Sequence, residues 1–370
     1  MERRTVGVEE ELLLLDPATR EPAPRAEQAL SYARAHTEDG PPDELDHELF
    51  QHQIETRTPP VDDIAELRRH VLHGRERAAR AAEQSGLVTA ATGAAPLRGG
   101  DPQTTRDDRY LTMVATYGEV ARPGGTCGLH VHVAIGSDEE GVRAIDAITP
   151  WLPVLLAMSA NSPYFHGRDT GYASWRSQAW TQWPSAGPTD AFGSAEGYRE
   201  ASRRLIASGA AMDPGMLYYD ARLSQSYPTV EVRISDVCTD PDETALIAAL
   251  VRALVDRALA GPPDTPTWRA ELLRAARWRA ARYGLCDRLL APETGDPEPA
   301  RDVVRRLVER VGDHLTANGD RELVDAVVPR TLALGGAARQ RAAYERSGSM
   351  AEVVDDLVAR TNAAWQRVSG

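Results

Sequence analysis

Four short segments of the chain alternate between apolar and polar side chains, and this pattern constrains the fold more than any other feature. Successive side chains of a β-strand point to opposite faces of a sheet. Each segment is therefore predicted to be a strand with one apolar face, which packs on a core, and one polar face. The four predicted strands are Thr5–Leu15, Leu49–Thr58, Gly128–Ile135 and Thr229–Asp236.

The polar faces of these predicted strands carry acids, imidazoles and an arginine. A sheet with one solvated face is the alternative explanation for any single strand, but such a face is usually richer in Ser, Thr and Lys. The faces of this chain instead concentrate groups that bind metal ions. Their charged and imidazole residues are Glu9, Glu11, Glu55, His130, His132, Glu231 and Arg233.

If the four strands are neighbours, four carboxylates converge on one face of the sheet. Two carboxylates about 4 Å apart repel by roughly 4 kcal/mol at an effective dielectric constant near 20. Such a cluster is stable only if protons or cations reduce its charge. Oxygen-rich ligand sets with an occasional imidazole favour magnesium or manganese, and magnesium commonly takes further ligands from substrate phosphates. The pattern therefore indicates phosphoryl-transfer chemistry at a divalent-metal site.

The chain contains no lysine, so that all 42 of its basic residues are arginine. This composition excludes a P-loop lysine, a Schiff base and a lysine general base. Arginines, metal ions and backbone amides would have to bind any phosphate. The net charge of −13 and the lack of a basic tract argue against a nucleic-acid partner, because phosphate neutralisation requires a basic face.

The distribution of patterns along the chain predicts an α+β protein with a single domain, 1–370. Residues 1–240 contain the predicted strands, whereas 241–370 are mainly helical. Helices are predicted at 62–85, 142–159, 240–259, 268–283, 300–318, 321–333 and 350–368. The long irregular stretch 161–193 is typical of a functional loop.

The lengths of the apolar runs and the spacing of the cysteines indicate the cellular location. No run approaches the roughly 20 apolar residues that a membrane span requires, and residues 1–11 lack the pattern of a signal peptide. We therefore expect a cytoplasmic protein with no membrane partner. Cys127, Cys238 and Cys286 show no CxxC spacing, which argues against a disulfide framework or a zinc ribbon.

Six motifs occur in an order that is typical of one enzyme family. They are GVEEE at 7–11, the segment 48–59, GLHVHV at 128–133, SANSP at 159–163 with GRDTGYAS at 167–174, TVEVR at 229–233 and GAARQR at 336–341. The sequence thereby resembles the YbdK-type carboxylate–amine ligases of the glutamate–cysteine ligase superfamily. The resemblance extends from Thr5 to about Tyr344, almost the whole chain.

The resemblance implies a glutamine synthetase/guanidino kinase-like fold, in which a curved antiparallel sheet with flanking helices forms the active site. It implies ATP and magnesium, or manganese, as cofactors and amino acids or amines as substrates. Glutamate would be activated at its γ-carboxyl group as an acyl phosphate, which an amine such as that of cysteine would attack. The resemblance also favours a homodimer.

By motif position, the resemblance implies roles for individual residues. The implied metal ligands are Glu9, Glu11, Glu55, His130 and Glu231. Arg233, Arg168 and Arg176 are candidates to contact phosphate or a substrate carboxylate, and a base for the attacking amine is a candidate role of His132. The candidates for cofactor binding are Arg233, Glu48, Gln53 and Thr229. Because side chains alternate along a strand, however, Glu48 would lie on the same face as Phe50, opposite Glu55, unless a bulge intervenes.

Two stretches depart from the family pattern, Ala94-Ala95 and Ala333-Leu334-Gly335, and they bear on substrate identity more than on reaction type. Three alternatives stay open. A guanidino kinase-like phosphotransferase would use the same fold, and a non-catalytic relative would only bind ligands. A cupin-like metal site of His130, His132 and Glu231 would leave the remaining glutamates unexplained.

Overall fold

The fold is built from helices and strands of very different lengths. The structure, a computed structural model, describes residues 3–36, 44–121, 124–262 and 265–366. The strands are β1 (Val6–Leu15), β2 (Leu45–His47), β3 (Gln53–Arg57), β4 (Val88–Ala90), β5 (Gly128–Ala134), β6 (Tyr164–Phe165), β7 (Arg168–Asp169), β8 (Ala221–Leu223), β9 (Thr229–Asp236), β10 (Arg288–Leu290) and β11 (Pro297–Pro299). The helices are α1 (Ala26–Ala35), α2 (Ile64–Gln84), α3 (Asp108–Tyr117), α4 (Asp138–Ile148), α5 (Leu152–Ser159), α6 (Trp175–Trp180), α7 (Ala195–Ala207), α8 (Pro241–Ala260), α9 (Ala270–Tyr283), α10 (Ala300–Arg310), α11 (Gly312–Asn318), α12 (Arg321–Leu334), α13 (Gly336–Ser347) and α14 (Met350–Gln366).

The main sheet has the strand order β2-β3-β1-β5-β9-β8, and β4 pairs with the C-terminal end of β1. These pairings are antiparallel. The four segments with alternating side chains are adjacent strands of this sheet, because β1 lies between β3 and β5, and β9 follows β5. The predicted α+β fold, an antiparallel sheet with flanking helices, is therefore confirmed.

One face of the sheet packs on helices that form the core. Val6, Val8, Val131 and Val232 are at most 2% exposed, and they share an apolar cluster with α4, α5 and α8. Helix α8 is buried along most of its length and begins where the Asp240 side chain accepts the backbone N–H of residue 242, with a proline at the first helical position. The apolar halves of the strand patterns thus form the predicted core.

A buried ion pair lies behind the sheet, on the core side of β1. Glu10 and Arg75 are 1% and 0% exposed, and the Arg75 guanidinium donates to both Glu10 carboxylate oxygens at 2.8 and 2.7 Å. Arg75 also donates to the carbonyl oxygens of Thr239 and Cys238, and the Thr244 hydroxyl donates to Glu10. The polar atoms of the Glu10–Arg75 pair thus find partners inside the core, while the neighbours Glu9 and Glu11 point to the other face.

The second predicted strand differs from the structure, and the difference moves Glu48. The prediction of one strand from Leu49 to Thr58 was wrong, because β2 and β3 form a hairpin whose connection runs from 48 to 52. Strand parity does not apply to a residue in that connection. Glu48 therefore does not share the face of Phe50 as a strand residue, and its carboxyl group lines the same cavity as Glu11 and Glu55.

Several helices also depart from the predicted pattern. The predicted helix 142–159 is two helices, α4 and α5, separated by a 3-10 turn over Thr149–Trp151, because Pro150 and Pro153 lack the backbone N–H that a continuous helix needs. The predicted helix 300–318 is likewise divided between α10 and α11. Helices α1, α3, α7 and α13 were not predicted, and the irregular stretch 161–193 contains the β6–β7 hairpin and α6.

Within the described residues, Asp138–Ser159 is long and apolar enough to cross a membrane, but 78% of its apolar window is buried inside the protein. The stretch comprises α4, the 3-10 turn and α5, and it packs against α8 and α9. Its hydrophobicity is accounted for by the core of the protein.

Candidate active site

The strand registers bring the polar side chains of β1, β3, β5 and β9 together. Glu11 lies opposite Glu55, and Glu9 lies opposite His130. Potential ligand atoms of Glu9, Glu55 and His130 lie within 4.8 Å of one another. Those of Glu9, His132 and Glu231 form a second group of the same size. The two groups share Glu9, which therefore lies at the centre of the cluster.

Two imidazoles hold the Glu9 carboxylate in place. His130 Nδ1 lies 3.1 Å from Glu9 Oε2, and His132 Nε2 lies 3.5 Å from Oε1. Burial raises the pKa of Glu9, but the hydrogen bonds with the two histidines outweigh burial and hold that pKa far below its ordinary value. Within the described residues, the buried Nε2 atom of His130 has no hydrogen-bond partner, so that it offers a lone pair or a proton to a ligand.

Burial and neighbouring acids raise the pKa of two acids beside Glu9, although Arg57 pairs with one of them, Glu55. Burial raises the pKa of Glu55 well above its ordinary value, and the charges of Glu9 and Glu48 raise it further. Burial and the charge of Glu11 raise the pKa of Glu48 to about 8. Glu11 itself accepts the backbone N–H of Gly128 at 2.6 Å. A set of carboxylate oxygens with one or two imidazoles fits magnesium or manganese.

Arg222 and Arg233 flank the cluster from β8 and β9. Arg222 donates to the two Glu231 carboxylate oxygens at 2.7 and 3.2 Å, and Arg233 also pairs with Glu231. Burial raises the pKa of Glu231, but the charges of Arg233 and Arg222 outweigh burial and keep this carboxylate ionised. The sequence patterns did not identify Arg222, because β8 is only three residues long and shows no alternation that could be recognised.

A cavity of about 300 Å³, here called the front cavity, opens on one side of the cluster. Its polar wall comprises Glu9, Glu11, Glu48, Glu55, His130 and Arg233. Its apolar wall comprises Tyr110, Met113, Trp180, Trp183 and Tyr218. The cavity can therefore hold a ligand that is charged at one end and has an apolar part at the other.

Helix α3 covers the front cavity. Met113 is the buried residue of this helix, and with Tyr110 it faces the cavity. The Arg109 guanidinium donates to both carboxylate oxygens of Asp213 at 2.8 and 3.1 Å, which fastens α3 to the turn that precedes β8. A helix with so little buried surface is among the parts of a fold that open most easily.

A second cavity of about 440 Å³ lies on the other side of Glu9, and we call it the proline cavity. Its walls include Gly7, Val8, Pro59, Pro60, His132, Tyr227, Pro228 and Thr229. Glu9 and Arg57 line both cavities. A long ligand could therefore reach from the proline cavity across the cluster into the front cavity.

Three further candidates lie in different environments. Thr229 lines the proline cavity, where its hydroxyl is 2.9 Å from His132 Nδ1. Gln53 lines the front cavity but donates to the carbonyl oxygen of Thr126 at 2.8 Å. Arg168 lies in the exposed β6–β7 hairpin and lines neither cavity. We therefore remove Arg168 from the candidate site.

Arg176 is buried beside Gly128 and Glu11 and is not among the residues that line the front cavity. Its guanidinium donates to the carbonyl oxygens of Arg233 and Ile234 at 3.3 and 3.5 Å. A Cβ at Gly128 would lie 2.3 Å from Arg176 Nη2, so the absence of a side chain at Gly128 leaves room for this guanidinium. Arg176 therefore supports the strand that carries Arg233, and its contact with phosphate or a substrate carboxylate stays a prediction.

The chain shows clear similarity to known proteins. The model of glutamate–cysteine ligase family 2 (GCS2) matches residues 5–360. A Nocardioides protein named "Putative glutamate–cysteine ligase 2-1" is 54% identical over 98% of this chain and 97% of its own length. A Streptomyces coelicolor protein named "Putative glutamate–cysteine ligase 2" is 47% identical over 98% of this chain and 100% of its own length.

Solved structures with at most 14% sequence identity share the fold. A bifunctional glutathione synthetase from Pasteurella multocida has a TM-score of 0.69, with 98% of this chain and 53% of that chain covered. The glutamate–cysteine ligase of Francisella tularensis in complex with AMP has a TM-score of 0.63, with 99% and 89% covered. The Pup ligase PafA has a TM-score of 0.58, with 97% and 72% covered. The chain belongs to glutamate–cysteine ligase family 2 and is an ATP-dependent ligase that forms carbon–nitrogen bonds.

Proposed function

We propose that this carboxylate–amine ligase activates a carboxylate, in the first instance the γ-carboxyl group of glutamate, as an acyl phosphate that an amine then attacks. The carboxylate oxygen is a poor leaving group until it carries the γ-phosphoryl group of ATP. The observation that carries the proposal is the position of the carboxylate–imidazole cluster between two cavities. One cavity would hold the nucleotide and the other the acid and the amine.

The cluster would hold the divalent cations that the reaction requires. The proposed ligands are Glu9, Glu11, Glu55, His130 and Glu231, and Glu48 is close enough to the same cavity to join them. The unpartnered Nε2 atom of His130 and the raised pKa of Glu55 support this assignment, because the pKa of Glu55 stays raised although Arg57 pairs with its carboxylate. Bound magnesium would neutralise the phosphate oxygens, as is general in phosphoryl transfer.

The proline cavity is our candidate for the nucleotide. Its walls are largely apolar away from Glu9, Glu44 and Arg57, which suits a planar base better than a charged amino acid. From this cavity a triphosphate would pass Glu9 and bring its terminal phosphate towards Arg233. Arg233 would then stabilise the charge that spreads over the transferred phosphoryl oxygens.

The front cavity is our candidate for the acid and the amine. Arg222 and Arg233 lie at its polar end beside Glu231, where they can orient a substrate carboxylate. The indole of Trp183 and the ring of Tyr218 form part of its apolar end. The cover formed by α3 would keep water away from an acyl phosphate, which otherwise would hydrolyse.

We assign His132 a role other than that of the predicted base. Its Nδ1 atom faces the Thr229 hydroxyl, its Nε2 atom faces Glu9, and its ring lines the proline cavity. The amine would bind in the front cavity, so His132 is not placed to accept its proton. We propose that His132 positions Glu9 on the nucleotide side of the cluster.

Release of ADP and phosphate from ATP tests the proposed function. The purified enzyme should release ADP only when magnesium and a carboxylate are present, and a matching amine should convert the acid to an amide. Screening glutamate, aspartate and other acids against a panel of amines that includes cysteine identifies both substrates. ADP formation with phosphorylated guanidino product instead of an amide would favour a guanidino kinase.

Two isosteric variants test the metal assignment within the same assay. Glu9→Gln and Glu231→Gln should abolish ADP release, because each removes a proposed ligand. The exposed Glu196 on α7, 78% exposed at its side chain, provides the matched control Glu196→Gln, which should retain wild-type turnover. Full turnover of both site variants would contradict the assignment.

Other expectations from the sequence remain predictions. The helices after residue 241 pack directly on the sheet-bearing part, since α8 contacts β1, β5 and α2, and we therefore propose that the whole chain is one catalytic domain. A homodimer and a cytoplasmic location also stay predictions. The effect of Ala94-Ala95 and of Ala333-Leu334-Gly335 on substrate identity awaits the acid and amine screen.

A further inference from the structure

An exposed aromatic side chain stands at the wall of the proline cavity. The side chain of Tyr227 is 57% exposed, the highest exposure among the large apolar and aromatic residues of the described chain. It belongs to the connection between β8 and β9, and it lines the cavity together with Pro228 and Thr229. An aromatic ring left in water beside an apolar cavity is available to a ligand.

The ring of Tyr227 and the imidazole of His132 form a corner. Their centroids are 6.1 Å apart and their planes are perpendicular. The imidazole is fixed from both sides, because Nδ1 faces the Thr229 hydroxyl at 2.9 Å and Nε2 faces Glu9 at 3.5 Å. The phenol ring thus provides an open flat surface beside a rigid edge.

The backbone around Tyr227 is fixed although its side chain is exposed. The N–H of Thr229 donates to the carbonyl oxygen of Tyr227 at 2.8 Å, and the N–H of Ile135 donates to that of Pro228 at 3.0 Å. The proline that follows also restricts the backbone of Tyr227. The backbone therefore keeps Tyr227 at the cavity wall.

We infer that Tyr227 binds the nucleobase of ATP by stacking, with the base in the corner between Tyr227 and His132. This inference rests on the proposed function, which places the nucleotide in the proline cavity. Stacking on an aromatic ring requires only a flat base, and the neighbouring Pro59 and Pro60 provide apolar surface for its remaining face and edges. Glu9 lies on the path from this corner to the cluster, where the phosphates would bind.

Calorimetric titration with two ligands tests the inference. ADP carries a base, whereas inorganic tripolyphosphate carries phosphates alone, and both are measured with magnesium. Tyr227→Leu should weaken ADP binding about 5- to 100-fold, since loss of one base–aromatic stack has an effect of this size, and should leave tripolyphosphate binding unchanged. Tyr227→Phe should bind ADP like the wild type, because the ring and not the hydroxyl makes the contact.

Tyr344 supplies the matched control. It is 39% exposed on α13 and lines neither the front cavity nor the proline cavity, so Tyr344→Leu should change neither binding constant. Equal weakening of ADP and tripolyphosphate by Tyr227→Leu, or no weakening of either, would overturn the inference while the proposed function stands. Failure of the wild type to bind any nucleotide would instead remove the proposed function itself.

Discussion

Neutralising Glu48 should stabilise the protein in alkaline solution when divalent cations are absent. In the folded protein, burial and the charge of Glu11 raise the pKa of Glu48 from 4.5 to about 8. Between these two values the folded state holds a proton that the unfolded state has released. The stabilisation that this proton provides therefore falls as the pH rises through this interval, and it is fully lost only above the folded-state pKa of Glu48. Glu48→Gln keeps the shape of the side chain and removes this pH dependence.

The size of the effect follows from the pH interval. Each pH unit within it costs the folded state about 1.4 kcal/mol, so the advantage of Glu48→Gln should grow by about 4 kcal/mol between pH 5 and pH 8. This value is an upper bound, because part of the Glu48 side chain contacts water. For a chain of 370 residues, 4 kcal/mol corresponds to a Tm difference of about 5 °C.

Thermal unfolding in the presence of a chelator measures this difference at pH 5, 6, 7 and 8. The wild type and Glu48→Gln should have similar Tm values at pH 5 and should separate progressively towards pH 8. Glu196→Gln controls for the loss of one negative charge on the surface. A Tm difference that is the same at every pH would refute the reasoning, because it would show that Glu48 exchanges no proton on unfolding in this range. Magnesium with ATP should reduce the difference, since cations stabilise the ionised Glu48.

Three further changes have expected outcomes that can be measured. Arg75→Met should destabilise the protein by about 3–5 kcal/mol in urea unfolding, because it leaves the buried Glu10 carboxylate without its cation; a loss below 1 kcal/mol would contradict the buried pair. Gly93→Ala should cost about 1–3 kcal/mol in thermal unfolding, because the new Cβ would lie 2.5 Å from the Asp236 carboxylate; an unchanged Tm would show that this contact relaxes freely. Chelation of magnesium should abolish ADP release and lower the Tm of the ATP-bound wild type, and Glu9→Gln should show no such Tm response; a response equal to that of the wild type would remove Glu9 from the ligand set.

The side-chain alternation predicted the cluster because the period of a strand determines the face of each residue. Glu9, Glu55, His130 and Glu231 lie in regular stretches of β1, β3, β5 and β9, so their parity was sufficient. Parity failed for Glu48, because the turn between β2 and β3 interrupts the strand there. Whether a strand continues or turns depends on long-range pairing, which a local pattern does not contain.

Other residues of the site could not be predicted from local patterns. Arg222 comes from a strand of three residues, and Arg109 lies on a helix with one buried position, so neither belongs to a recognisable period. Arg168 and Arg176 were predicted from the resemblance, and the structure places one on the surface and the other buried beside Gly128. A shared motif indicates that a residue matters to a family, but only the packing shows which groups it contacts.

The ion pair between Glu10 and Arg75 has a consequence for how β1 can change. Deleting or inserting a single residue before Glu9 would rotate the strand by one position, sending two acids into the hydrophobic layer and presenting one acid to the substrates. The Arg75 guanidinium behind the sheet makes that shift prohibitively unfavourable, because it donates to a carboxylate at one position of β1 only, that of Glu10. The pair thus fixes which residues of β1 lie on the polar face, and a graft of this strand into another scaffold would also need Arg75.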